Sequence, residues 1–210
     1  MTKVNKELKS ALELLAGLVL IIIQIFINVK FMPQLMNLTI LSVLTIILLV
    51  YLNKEEYANI KDLFKWENLK YVLLIYILSK AAAYTVNGMV EIMGIAPIAE
   101  DYFLEKQLRT LTGAKLGLAL YYICFIIPII TGFIYVHVAL KSIGNMKKSA
   151  IPIEAVVIVL LGGISGIPEM LIRFAINIIP LTVYYKTERI DICIAATMLN
   201  NIIACILILA

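Results

Sequence analysis

The chain has 210 residues, of which 62% are hydrophobic and only 15% charged, whereas a soluble domain carries about 25% charged residues. With a mean hydropathy of +0.99, this much apolar surface excludes a single small soluble core and points to an integral membrane protein. The net charge of +4 is modest and its basic residues are spread over connecting segments, which fits loops at a membrane surface and excludes a nucleic-acid footprint.

In chain order, the N-terminus is basic (Lys3, Lys6, Lys9) and then apolar to Val29. That run is too long for a signal-peptide core and lacks a small-residue cleavage pattern. It is expected to be a retained first span over Ala11 to Val29. A second span is expected over Leu35 to Leu52 after a short turn. Asn53 to Lys70 is the most polar stretch, yet Tyr57, Ile60, Leu63, Phe64 and Trp66 recur in it at helical spacing. The pattern predicts an amphipathic segment lying in the interface with Trp66 as anchor. Tyr71 to Met93 is a third span carrying Lys80 and Asn87. Ala96 to Thr110 holds an acidic cluster and is short for a span, so it is expected inside the bundle.

Leu116 to Leu140 is a long apolar run with Pro128 and Gly132 as expected kink points. Ser142 to Lys148 is a loop. Ile151 to Leu161 and Ile167 to Tyr185 flank a glycine-rich break, Gly162 to Gly166. Thr187 to Asp191 is a turn, and Ile192 to Ala210 is the last span. The expected fold is all-α: a polytopic bundle of seven or eight helices forming a single integral membrane domain over 1–210. There is no room for a soluble domain and no visible internal repeat. Lysines at the N-terminus and after the second span favour a cytoplasmic N-terminus and a multi-pass protein of the cell membrane. The three cysteines, Cys124, Cys193 and Cys205, sit apart in apolar runs and read as small buried hydrophobes.

Ionisable and amide residues within such segments are functional-site candidates. Glu100 and Asp101 are consecutive, about 100° apart on a helix: one faces a cavity and the other a neighbouring helix or backbone. A buried carboxylate there suits a general base; an ion pair with Lys80 or Arg109 is the structural alternative. Phe133 and His137 share a helix face at four-residue spacing. The lone histidine is either a catalyst or an interhelical hydrogen-bonder, and a zinc site with two histidines is excluded. Thr197 and Asn201 share another face. Asn201 could donate to an oxyanion or bridge helices, and Asn200 suits the bridging role. Glu169 and Arg173 suit an intrahelical pair, and Glu154 a helix start.

Taken together these residues resemble the CPBP family (the CAAX-processing and bacteriocin-processing intramembrane proteases, also called the Abi family). Its three motifs, in order, are Glu-Glu-x-x-x-Arg, Phe-x-x-x-His and His-x-x-x-Asn. APIAEDYFLE is similar to the first, with Glu100 and Asp101 at the two acids and Glu105 at the arginine. FIYVH matches the second through Phe133 and His137. VYYKTERIDICIAATMLNN resembles the third, with Thr197 at the histidine and Asn201 at the asparagine. The resemblance covers about residues 95 to 203. It implies that Glu100 and His137 activate a water while Asn201 stabilises the oxyanion, with no covalent intermediate, no cofactor and no obligatory metal. It implies a membrane-embedded peptide or protein as substrate.

The departures are specific. Asp101 is shorter than glutamate, Glu105 reverses a charge, and Thr197 lacks the imidazole. A lost oxyanion donor costs about 10²–10³ in rate. The expected function is therefore a CPBP-type intramembrane endopeptidase with weakened activity. Two rivals are a noncatalytic relative acting as a membrane binding or bacteriocin-immunity protein, and a small transporter using Glu100 and Lys80. The transporter is disfavoured by the missing repeat.

Overall fold

The computed structural model describes residues 8–20, 35–94, 108–143, 147–161 and 167–210. Within these residues the chain is helical and contains no strand. The helices are α1 (8–20), α2 (Leu35–Lys54), α3 (Ile60–Leu63), α4 (Trp66–Ile92), α5 (Gly113–Ile143), α6 (Ala150–Leu161), α7 (Ile167–Thr187) and α8 (Ile190–Leu209). Three helices are long and apolar enough to cross a membrane: Trp66–Ile92, Gly113–Lys141 and Ile190–Leu209. Leu38–Lys54 and Ala150–Leu160 are shorter apolar helices. Large apolar side chains such as Ile46, Ile47, Val50, Ile77 and Leu207 face outward, as expected where lipid is the solvent.

α1 and α2 each turn one stripe inward, whereas α5 is buried on all sides over its second half. On α2 the buried positions are Leu38, Leu41, Thr45, Leu48 and Leu52, a spacing of three and four residues that keeps them on one face. On α1 they are Glu13, Gly17 and Leu20, and Gly17 allows α1 to approach Val138 of α5, where a Cβ would lie 3.3 Å from a methyl. The main core joins α2, α4, α5, α7 and α8 around Leu52, Ile126, Phe133, Leu140, Leu181, Tyr184 and Ile190.

α5 is not a uniform helix. It is α-helical over Gly113–Tyr121, π-wound over Tyr122–Ile126, α-helical over Ile127–Thr131 and π-wound again over Gly132–Ile143. Pro128 lacks an N–H, so the turn before it cannot close in the ordinary way, and a wider turn is one recognised outcome. Gly132 acts differently from the expected kink. A Cβ there would sit 2.7 Å from Ile194 Cγ1, so Gly132 is where α5 and α8 touch.

The polar stretch 53–70 differs from one continuous interfacial segment. α2 runs on to Lys54, Glu56 takes a left-handed conformation (φ 61°) that ends it, and only one helical turn, α3, precedes α4. Asn59 caps α3 by accepting from the Asp62 N–H at 3.2 Å, as a residue with a short side-chain oxygen does at that position. Trp66 opens α4 and stays exposed, while Tyr57 turns into the protein. Its loop is fastened to the start of α8. The Ile190 N–H donates to the Tyr57 carbonyl at 2.9 Å, the Asn59 N–H to Asp191 Oδ2 at 3.2 Å, and Arg189 to the Asn59 carbonyl at 3.0 Å.

Candidate functional site

His137 lies in the π-wound half of α5 with none of its surface exposed. The expected Phe133 partner stacks on it, with ring centroids 5.5 Å apart and planes 18° from parallel. The Tyr57 ring covers another side at 4.5 Å, held there by the loop's attachment to α8. Tyr184 of α7 places its hydroxyl 2.6 Å from His137 Nδ1. On the other edge of the ring, Nε2 faces Glu13 Oε1 of α1 at 3.5 Å, longer than a normal hydrogen bond. Glu13 in turn accepts from the Tyr51 hydroxyl of α2 at 2.6 Å.

Tyr184, His137, Glu13 and Tyr51 thus form a polar line through four helices. If the Tyr184 hydroxyl donates to Nδ1, Nε2 carries the ring hydrogen and points at the Glu13 carboxylate. Two lysines close the cluster. Lys141 Nζ lies 3.4 Å from the Tyr57 ring centroid, and Lys9 pairs with Glu55. Lys9, Glu13 and Gly17 are four residues apart in turn, so one face of α1 meets the end of α2 and the histidine together.

Sequence reasoning selected His137 and Phe133 but not Glu13, Tyr51 or Tyr184. Glu13 carries a usable signal: it is one acid inside an apolar run, on the same face as Gly17. Tyr184 lies in the tyrosine pair near the end of α7, just before the turn that leads into the third motif-like helix. Glu100, Asp101 and Glu105 lie outside the described residues. In α7, Glu169 and Arg173 form the expected pair at 2.5 Å. Glu154 is buried at the fifth residue of α6, beyond its first turn.

The third group lies elsewhere on the bundle. Thr197 donates to the carbonyl of Cys193 one turn back at 3.1 Å. Asn201 donates to the carbonyl of Ile123 on α5 at 2.8 Å, and Asn200 bonds Asn201 Oδ1 at 3.4 Å. Ile123 and His137 are separated on α5 by on the order of 20 Å of helix axis. His137 and Asn201 are therefore not brought together, and Asn201 ties α8 to α5.

Thr197 and Asn200 instead line a cavity of about 380 Å³ between α4, α5, α7 and α8. Its other polar lining includes Lys80, Arg173, Asn177 and Tyr135. That volume lies in the usual range for ligand sites. A second cavity of about 590 Å³ is lined by Lys80, Asn87, Arg109 and the end of α8. No cluster of three metal-ligating side chains occurs among the described residues. Compared with protein-family models, curated proteins and solved structures, the chain matches none of them.

Proposed function

We propose that this chain is a multi-pass cell-membrane protein of the CPBP type, with a bundle of seven or eight helices and a cytoplasmic N-terminus. It acts as an endopeptidase-like protein on a membrane-embedded peptide or protein. In this reading Glu100 and His137 activate a water, and the exchanges at Asp101, Glu105 and Thr197 slow the reaction; Asn201, bonded to the Ile123 carbonyl on the order of 20 Å along α5 from His137, holds α8 to α5 and is left out of the oxyanion role. The observation that carries it is the order of the three motif-like segments. Support comes from the packing of the helices that bear the last two: Phe133 and His137 stack on α5, and α5 meets α8, which bears Thr197 and Asn201, at Gly132 and Ile194. The test is cleavage of a quenched membrane-peptide library by purified protein beside Glu100→Ala. Cleavage by the parent that vanishes in the variant supports the reading, and no cleavage by well-folded parent overturns it.

A second reading, a noncatalytic member that binds a peptide or protein partner, has its own support. His137 is enclosed by aromatic rings, and the Asn201 amide is committed to a backbone carbonyl. Under this reading the parent binds a membrane partner without cutting it, and Glu100→Ala leaves that binding unchanged.

A further inference from the structure

Cys124 and Cys205 belong to different helices, α5 and α8, yet the Cys124 thiol donates to Cys205 Sγ at 3.9 Å. Both are buried. Cys193 is buried as well, but its thiol donates to the Pro180 carbonyl on α7 at 3.4 Å, and it lies about 18 Å along α8 from Cys205. A second contact holds the pair in register. Asn201, one turn before Cys205 on the same face of α8, donates at 2.8 Å to the carbonyl of Ile123, the residue next to Cys124. α8 also packs on the π-wound turn Tyr122–Ile126 that carries Cys124. A disulfide bond is about 2.05 Å long, so the sulfurs need to close by about 2 Å. Rotation of the two side chains supplies movement on that scale between helices already in contact.

Burial keeps a protein oxidase away, but the pair lies outside the main core. It belongs to a small separate cluster with Leu108 and Ile208 near the end of α8. Such a cluster opens locally while the rest stays folded, which admits a small uncharged oxidant. The start of α8 is fastened to the loop after α2, close to where Lys9 pairs with Glu55. Cys205 is about 22 Å further along α8 from Ile190, toward the other face of a hydrocarbon layer about 30 Å thick. With the proposed cytoplasmic N-terminus that is the outer face, the side on which disulfides persist.

We infer that Cys124 and Cys205 are a redox-modification site, oxidised by peroxide to a disulfide that joins α5 to α8. One thiol sulfur attacks a peroxide oxygen; the O–O bond breaks, water leaves and the sulfur becomes a sulfenic acid. The second thiol attacks that sulfur; the S–S bond forms, the S–O bond breaks and a second water leaves. Two thiols thus lose two electrons and two protons to one hydrogen peroxide, giving one disulfide and two waters. The bond fixes the slide of α5 against α8, the helices that carry His137 and Thr197. The inference rests on the proposed orientation only for the side on which oxidant is met; the chemistry is tested in purified protein, where orientation plays no part.

The test uses the full chain in nanodiscs, fully reduced and then titrated with hydrogen peroxide. After denaturation, the remaining thiols are counted as maleimide mass adducts and the peptides are mapped. The adduct count is expected to fall from the three cysteines of the chain to Cys193 alone. A peptide linked through Cys124 and Cys205 should appear, and dithiothreitol should restore every thiol. Cys193→Ser is expected to form the same bond. Retention of both adducts on the pair in peroxide-treated protein overturns the inference. So does loss of Cys193 at the same peroxide dose as the pair, a link between two chains instead of within one, thiol loss that dithiothreitol does not reverse, or absence of the bond in folded Cys193→Ser.

Discussion

At the scale of single residues, the environment of His137 is set by groups distant in sequence. Its spacing from Phe133 is visible in the chain, and the stacked pair follows from helix geometry. Glu13 and Tyr184 could not be assigned to it from the sequence, because nothing local says which helix faces which. Burial makes the hydroxyl of Tyr184 matter more than its ring edge. Tyr184→Phe keeps the shape and leaves Nδ1 without its partner, which costs about 1–3 kcal/mol for a buried polar atom. Denaturant unfolding in detergent should show a loss of that size, and stability equal to the parent would mean that the Tyr184 bond contributes nothing. Thr197 concerns activity. If its missing imidazole limits the proposed reaction, Thr197→His should raise the cleavage rate by about 10²–10³, the usual worth of one oxyanion donor. An unchanged or lower rate would remove Thr197 from that role.

Among the helices, the limit on reading the sequence is physical. α2 is apolar on the stripe that meets the protein and on the face that meets lipid, so both solvents select the same residues and periodicity fades. Segment positions were nonetheless legible: the second, third and last expected spans correspond to α2, α4 and α8, with ends shifted by a few residues. The polar stretch after α2 was not, because its fate depends on α8. Asn59, Arg189 and Asp191 fasten it there, and those partners lie some 130 residues apart in the chain. Gly132 was legible as a special position but not for its reason. Its contact with Ile194 makes a direct test. Gly132→Ala should destabilise by about 1–3 kcal/mol through overpacking. Adding Ile194→Ala should recover part of that loss, a coupling that a double-mutant cycle reads. Additive effects would show that the two helices do not meet there.

For the whole molecule, composition alone announced the membrane, and the three long apolar helices agree with it. Lysines at the N-terminus and after α2 favour one orientation, and the structure adds an independent link. Lys9 near the start of α1 pairs with Glu55 just after α2, so those two ends lie at one level of the bundle. Single cysteines introduced at Lys6 and Lys61, in a background with the three native cysteines replaced, should therefore label from the same side of sealed vesicles. Labelling from opposite sides would break the proposed topology. The candidate site was only partly legible at this scale. The motif-like segments could be ordered along the chain, but their meeting depends on how α5 and α8 slide past each other, and Asn201 sits opposite Ile123 rather than His137.

The most direct test of the central claim is cleavage of a quenched membrane-peptide library by the protein in sealed vesicles, measured beside Glu100→Ala and His137→Ala. The account predicts slow cleavage by the parent, lost in both variants while their folded structure is retained. Cleavage that survives in Glu100→Ala, or no cleavage by a well-folded parent, would contradict it.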